Sequence, residues 1–434
     1  MTAIPAQHTS TFSFWQLISF GILTTPLAMS GLVLVMFLPT FYAAEMGLGL
    51  TAVGAIFAFG RIFDVITDPL IGNLSDETRS RWGARRPWIV IGVPLYCLSV
   101  WMLLSPPEGA GLVYLAVVSA AFFLFYTMVD VPYSSVGLEV SPDIHERSYL
   151  AGSKAAFQVA GAIFAASIPA IFALAVPAAL TLTSQFIIGL SLLGLAAFLA
   201  FVPVKNRPVT APRLGLAAAT RLVFSQTQFR YLVGCFFIVQ SANALTAGLT
   251  VLYVTHVIGA PELVGPLIGL LFLSTAVFLP LWVYLSKKTT KKRSWMTAIA
   301  TCCVALAGSV FLGEGDVIPV AVVCVLVGAS FGADAIMPTS MLADIVDAGE
   351  TGGTNRLAGT YLAIKNALSK LTFIIPMGIA FPLLDLAGFA EQGENAGFQL
   401  GALVVFFAVI PILLRILSLL LIRRAPLHTE TLRA

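Results

Sequence analysis

Twelve apolar runs, each near the ~20 residues a helix needs to cross a bilayer, constrain this chain more than any motif does. They begin near residues 14, 48, 87, 111, 149, 179, 229, 263, 295, 317, 357 and 397. In lipid the backbone must satisfy its own hydrogen bonds, so such runs read as helices. The first, from Phe14 to Ala43, is too long for a cleaved leader and reads as a retained helix. Of the 434 residues, 58% are hydrophobic and 10% charged, against about 25% charged in soluble domains. The reading is an all-α membrane protein. A net charge of +3 gives no reason to expect a nucleic-acid partner. The five cysteines all lie in apolar runs with no paired spacing, so neither a disulfide framework nor a zinc site is expected.

Lys and Arg set the orientation. Arg79, Arg81, Arg85 and Arg86 follow helix 2, Lys205, Arg207 and Arg213 follow helix 6, and Lys287, Lys288, Lys291, Lys292 and Arg293 follow helix 8. The intervening loops carry Glu45, Glu108, Glu262, Glu314, Asp316, Glu391 and Glu394, with no Lys or Arg. Both termini are therefore expected in the cytoplasm, in a cell (inner) membrane.

The polar stretch from Pro203 divides the chain into an N-terminal six-helix bundle (1–203), a linker (204–228) and a C-terminal six-helix bundle (229–434). The halves echo one another. "NLSDETRSRWGARRPW" after helix 2 returns as "YLSKKTTKKRSW" after helix 8. "VDVPYSSVGLEV" in helix 4 returns as "AIMPTSMLADIV" in helix 10 at nearly the same offset. Two echoes in register imply a duplicated unit, with a binding site between the halves near the membrane midplane.

An ionisable group within a span costs about 2.5–3.5 kcal/mol on insertion scales, so it is a functional hypothesis by default. Asp64, Thr67 and Asp68 share one side of helix 2, and Thr127 and Asp130 one side of helix 4. Asp64 and Asp130 each lie about 10 residues before the basic end, which at about 1.5 Å per residue places them at one depth. Carboxylate and hydroxyl oxygens without His or Cys suit a small alkali cation or a proton rather than zinc. Two carboxylates this close resist joint ionisation, so one is protonated or they share a cation. Arg61 could pair with either Asp on helix 2. Lys365 and Lys370 in helix 11 are deep enough to pair with Asp334 or Asp130, to meet solute, or to lock two helices together. Lys154 opens helix 5 near the interface, and Arg415 is expected to snorkel. The polar knot after helix 2, with Asp76, Arg79, Arg85 and Arg86, obeys the positive-inside rule; its echo suggests a latch between the halves. No Ser-His-Asp order, phosphate loop or zinc spacing appears, so an enzyme is not expected.

"RIFDVITDPLIGNLSDETRSRWGARRPW", with "YTMVDVPYSS", "MLADIVDAGE" and "GTYLAIKNALSKL", resembles the glycoside–pentoside–hexuronide:cation symporters, the melibiose-carrier branch of the major facilitator superfamily. The resemblance implies twelve helices in two pseudo-symmetric bundles and cation-coupled transport by alternating access. It implies Asp64, Thr67, Asp68 and Thr127 around the cation, with Asp130 joining cation and solute. Lys370 matches the helix-11 lysine, and Lys154 the place of a helix-5 arginine. The implied partners are a small sugar-like solute and the bilayer, acting on a monomer, with no cofactor beyond co-transported Na⁺ or H⁺. Two departures stand out. Thr67 replaces the usual Asn, and helix 1 has no charged residue between Phe12 and Tyr42, so the family's sugar-gripping Asp falls near Ala28. An anionic or amphipathic solute (a uronide or a lysolipid) and a non-transporting role in pigment or cofactor delivery are the alternatives.

Overall fold

A computed structural model describes residues 12–139, 144–172, 174, 176–202, 216–350, 358–391, 393, 395 and 397–426. Side chains at 138–139, 144–148, 170, 216–217, 219, 347–350 and 358–359 are outside this description. Lys205, Arg207, Arg213 and Glu394 thus lie outside the described residues, as does the first part of the expected linker, 204–215.

Twelve long helices lie among the described residues. The N-terminal half holds α1 (Phe14–Met36), α2 (Leu50–Glu77), α3 (Arg86–Leu104), α4 (Leu112–Glu139), α5 (Ile144–Ile171) and α6 (Val176–Phe201). After a short helix, Leu216–Ser225, the C-terminal half holds α7 (Thr227–His256), α8 (Val264–Lys288), α9 (Lys291–Ser309) and α10 (Val317–Glu350). It closes with α11 (Thr360–Leu386) and α12 (Gly397–Arg424). Eleven of them are long and apolar enough to cross a membrane by length and composition. The twelfth, α9, opens on Lys291, Lys292 and Arg293 and turns apolar only after Ser294.

The duplication is visible in the packing. α2 and α3 pack on α4, as α8 and α9 pack on α10. Pro132 and Pro338 interrupt α4 and α10 at matching places. A proline removes one backbone hydrogen bond and kinks the helix. Tyr42 after α1 donates to the Leu103 carbonyl at 2.8 Å, and Tyr253 in α7 donates to the Ser309 carbonyl at 2.6 Å. The linkage from the end of the first helix to the end of the third is thus made twice.

Small residues let these backbones approach where side chains would hold them apart. A Cβ on Gly161 in α5 would lie 2.6 Å from the Thr25 carbonyl oxygen of α1. The halves meet at the end that carries the acidic loops. There Gly265 of α8 lies against the Ala166 carbonyl of α5, with 2.8 Å left for a Cβ, and Gly54 of α2 lies against the Met377 carbonyl of α11. The larger apolar core runs through both halves at this end and includes Tyr42, Val53, Leu249, Tyr253, Phe381 and Phe407. A second core, around Phe229, Trp295, Tyr361 and Ile422, stays within the C-terminal half.

Gly54→Val is therefore expected to keep the fold of each bundle but to hold the acidic end apart. Val251, which faces the crevice there, is a reporter. A cysteine at that position should react faster with a membrane-impermeant thiol reagent in the Gly54→Val background. Unchanged labelling would show that the Gly54–Met377 contact does not hold this end closed.

Candidate functional site

Midway along its length, α2 places Arg61, Asp64 and Asp68 on one side, one turn apart. The Pro69 ring follows directly and cannot donate to the carbonyl four residues back. From α4, the Thr127 hydroxyl donates to Asp64 Oδ1 at 2.8 Å and reaches Asp68 Oδ1 at 3.3 Å. Thr67 is buried nearby, but its hydroxyl donates to the Asp64 backbone carbonyl at 3.1 Å. Arg61 lies 3.7 Å from Asp64 Oδ2. Its guanidinium sits between the rings of Phe123 and Phe373 at 5.2 and 5.0 Å.

The decisive partner comes from the other half of the molecule. Lys370 of α11 puts its Nζ 3.1 Å from Asp64 Oδ1, 2.9 Å from Asp68 Oδ1 and 2.7 Å from Asp68 Oδ2. Its expected pairing with Asp334 or Asp130 gives way to this one. The two carboxylates share the Lys370 ammonium, and Arg61 adds a second positive charge on the Asp64 side. Asp64 is fully buried, whereas the side chains of Asp68 and Lys370 keep 24% and 20% of their exposure. The cluster is therefore sealed on the Asp64 side and open on the Asp68 side.

Asp130, on α4 close to Thr127, pairs with Lys154 of α5 at 3.3 Å. Lys154 also donates to Ser134 at 2.6 Å and lies 5.1 Å from the centre of the Tyr133 ring. It thus reaches into the bundle. Lys365, half-buried on α11, lies 4.9 Å above the Phe236 ring, and among the described residues no carboxylate is within ion-pair distance of it.

Asp334 stands apart from these groups. It is buried in the C-terminal half, where Trp295 donates to its Oδ1 at 2.9 Å and Asn243 to its Oδ2 at 3.1 Å. Arg415 approaches at 3.5 Å and also donates to the Asn243 side-chain carbonyl. Arg415 has 0% exposure, so the expectation that it snorkels is corrected. Its length brings it inward because a buried carboxylate waits there at its own depth.

Among the described residues, the bonds of the polar knot that follow lie within its own half. Arg85 pairs with Asp76 and donates to Ser75 at 2.5 Å, and Arg86 donates to the Val202 carbonyl at 2.8 Å. Arg79 is exposed. The echo after α8 repeats the carbonyl bond of Arg86 through Lys292, while its Lys291 reaches α10. Lys291 pairs with Asp344 at 2.7 Å, and Lys292 donates to the Ala425 carbonyl at 2.9 Å. Each basic pair ties its own bundle together, which is what the repeated sequence encodes.

One inter-half device went unnoticed in the sequence because its acids resembled ordinary loop charges. The first turn of α2 has no capping side chain of its own, since Gly49 precedes it. Glu391 from the other half accepts from the Leu50 N–H at 2.6 Å, and Thr51 donates to Asp385 at 2.5 Å. A carboxylate there satisfies a free N–H and suits the positive end of the helix dipole. Burial pushes the Glu391 carboxyl up from its ordinary value; the Leu50 N–H pulls it down and Asp385 pushes it up again. A group whose pKa is higher in the closed form than when exposed favours closure as pH falls through that window. Acidifying the outer solution should slow labelling of a cysteine at 251, and Glu391→Gln should remove the dependence. A pH profile that survives Glu391→Gln would assign it elsewhere.

A family model described as MFS/sugar transport protein matches residues 19–429. The chain belongs to this family. The names of its relatives, among them a putative glycoside/cation symporter and a glucuronide carrier homolog, are consistent with the glycoside–pentoside–hexuronide resemblance of the helix-2 signature. Inner membrane symporter YicJ of Escherichia coli is 26% identical over 88% of this chain and 85% of that protein. The glucuronide carrier protein homolog of Escherichia coli is 24% identical over 90% of this chain and 88% of that protein. Sodium-dependent lysophosphatidylcholine symporter 1 of Homo sapiens is 24% identical over 91% of this chain and 79% of that protein. Among solved structures, nucleoside transporter NupG superposes with a TM-score of 0.67 at 12% identity, over 94% of this chain and 99% of that one. The D-xylose-proton symporter gives 0.65 at 16% identity, over 94% and 97%. These two share the fold. The chain is a multi-pass membrane transporter of the major facilitator type, and not an enzyme.

Proposed function

We propose that this protein is a cation-coupled symporter of a sugar-derived solute, working by alternating access, with Asp64, Asp68 and Thr127 binding Na⁺ or H⁺. One observation carries the reading: an ammonium from the C-terminal half sits between two carboxylates of the N-terminal half. A site that accepts a tethered monovalent cation has the charge and the oxygen donors to accept a free one. Lys370 is then both a competitor for the cation and a strap between the bundles.

The sequence of events follows from the geometry. A cation entering from the Asp68 side displaces the Lys370 ammonium. The freed lysine turns toward the space between the halves, where solute binds, and Asp130 with Lys154 forms the adjoining wall. Cation and solute then favour each other's binding by the same factor, as linkage requires. With the basic loops cytoplasmic, the present conformation is closed toward the outside and occupies the inner membrane with both termini inside. The names of relatives that transport with sodium or carry glucuronides support this reading.

The test is uptake into proteoliposomes under an imposed Na⁺ or pH gradient, with a panel of sugars, glycosides and uronides. Accumulation above the outside concentration, abolished when the gradient is collapsed, is the expected result. Equilibration that ignores both gradients would overturn the proposal.

A further inference from the structure

We propose a second ligand site, in the crevice between the halves at the acidic end: it takes a protonated amine with an apolar body, and its occupant holds that end closed. The site stands on a cavity that the transport reading does not use. Its effect on the carrier rests on the alternating-access reading above.

The crevice has a volume of about 660 Å³, within the roughly 300–1,000 Å³ of sites for small organic ligands. One side is built by α1 with its extension to Glu45, α5 and α6; the other by α7 and the start of α8. Ala165 and Gly265 line it, beside the place where Gly265 packs on the Ala166 carbonyl and the halves touch. No residue of α2, α4 or α11 contributes to the lining, so the Asp64–Asp68–Lys370 cluster is not part of it. Asp64 lies about 20 Å further along α2 from its Leu50 end, at about 1.5 Å per residue.

The walls specify the ligand. Phe37, Phe41, Leu180 and Val251 present apolar surface from both halves, which suits an aryl or alkyl body. The charged side chains that line the crevice, Glu45, Glu262 and Glu391, are all acidic, and the loops at this end carry no Lys or Arg to answer them. Glu391 already accepts from the Leu50 N–H, which leaves Glu45 and Glu262 as the free acceptors. His256, the other titratable group of the lining, is turned to Asn395 and Phe389. The Thr40 hydroxyl completes the set: it is shielded from solvent and, among the described residues, has no hydrogen-bond partner. Buried hydroxyls are normally paired, and a Thr in a helical turn ordinarily gives its proton to the carbonyl one turn back. An ammonium N–H can be received by the Thr40 oxygen and by the carboxylates, and its charge is also favoured over an aromatic face. A carboxylate or phosphate would meet three like charges in the same place.

Both halves supply walls, so parting them at this end divides the site. A ligand that binds the closed form and not the open one shifts the equilibrium toward the closed form by that difference in affinity.

The test uses the purified full chain and three probes that share one apolar body: 4-phenylbutylammonium, 4-phenylbutanol and 4-phenylbutyrate. Thermal stability is read against probe concentration, because stabilisation scales with concentration over the dissociation constant. The ammonium should stabilise saturably, the alcohol about tenfold more weakly, and the carboxylate not at all. Glu45→Gln combined with Glu262→Gln should weaken the ammonium by about tenfold and Thr40→Val by about threefold, while Asp68→Asn leaves it unchanged. No saturable effect of the ammonium, equal binding of the alcohol or the carboxylate, or full affinity in the Glu45/Glu262 variant would overturn the proposal. Loss of binding in Asp68→Asn would overturn it too, by placing the amine in the central cluster. Ala58→Cys, buried on α2 and outside the crevice, reports opening through its reaction with a membrane-impermeant thiol reagent, measured against the parent protein. Saturating ammonium should slow that reaction about tenfold; an unchanged rate on the occupied protein would overturn the hold on the closed form. A cysteine at 58 that never reacts, with or without the probe, would instead overturn alternating access and leave the site standing.

Discussion

Replacing Asp64 by Asn should abolish uphill solute accumulation while leaving a folded, inserted protein. Asp64 is fully buried and is contacted by Arg61, Thr127 and Lys370 together. Removing one member of a buried charge pair costs about 2–5 kcal/mol, so cation affinity should fall about thirty-fold or more. Asp68→Asn should have the same direction and a smaller size, since its carboxylate is partly open to water and is held, among the described residues, by Lys370 and Thr127. The check is gradient-driven uptake in proteoliposomes, with circular dichroism and monodispersity as controls for folding. Retained accumulation in either variant would show that the α2 carboxylates do not hold the coupling ion.

The second large effect concerns stability and lies in the other half. Arg415→Ala leaves Asp334 buried with an uncompensated charge, and such a break costs about 3–5 kcal/mol. The variant should lose its cooperative thermal transition or melt many degrees lower. Replacing both partners by apolar residues of similar volume, Asp334→Leu with Arg415→Met, should recover most of the loss, because no buried charge then remains. Trp295 and Asn243 would still lose their acceptor, so recovery is expected to be incomplete. Arg415→Ala with an unchanged melting temperature would mean that the guanidinium reaches water after all. Transport assays on the double variant would also show whether this pair is needed only to hold α7, α9, α10 and α12 together.

The helix count, the two halves and the depth of the acidic cluster follow from features the chain displays locally: length of apolar runs, loop charge, and i to i+4 spacing on α2. What could not be read locally is rotation and partner choice. Lys370 stood out as a deep lysine, but nothing in α11 says which way it faces, so its pairing with Asp64 and Asp68 needed the packed structure. Arg415 followed the general tendency of long basic side chains to reach for the interface. A buried acid at matching depth on α10 reversed that tendency. The knot around Arg85 and Arg86 was read from its repetition. Repetition specified a motif that each bundle uses on itself, and at the acidic end the halves are joined by Glu391, read only as a loop acid, and by Asp385, which the sequence reading passed over.

The most direct measurement is cation affinity with and without the tethered competitor. Lys370→Gln removes the ammonium from between Asp64 and Asp68 and keeps a side chain of similar length. If the lysine occupies the cation's place, the variant should bind Na⁺ more tightly by about tenfold or more, or protonate at higher pH if the coupling ion is H⁺, because an intramolecular competitor acts at high effective concentration. Isothermal titration with Na⁺ across a pH series reads both. Weaker or unchanged cation binding in Lys370→Gln would contradict the account.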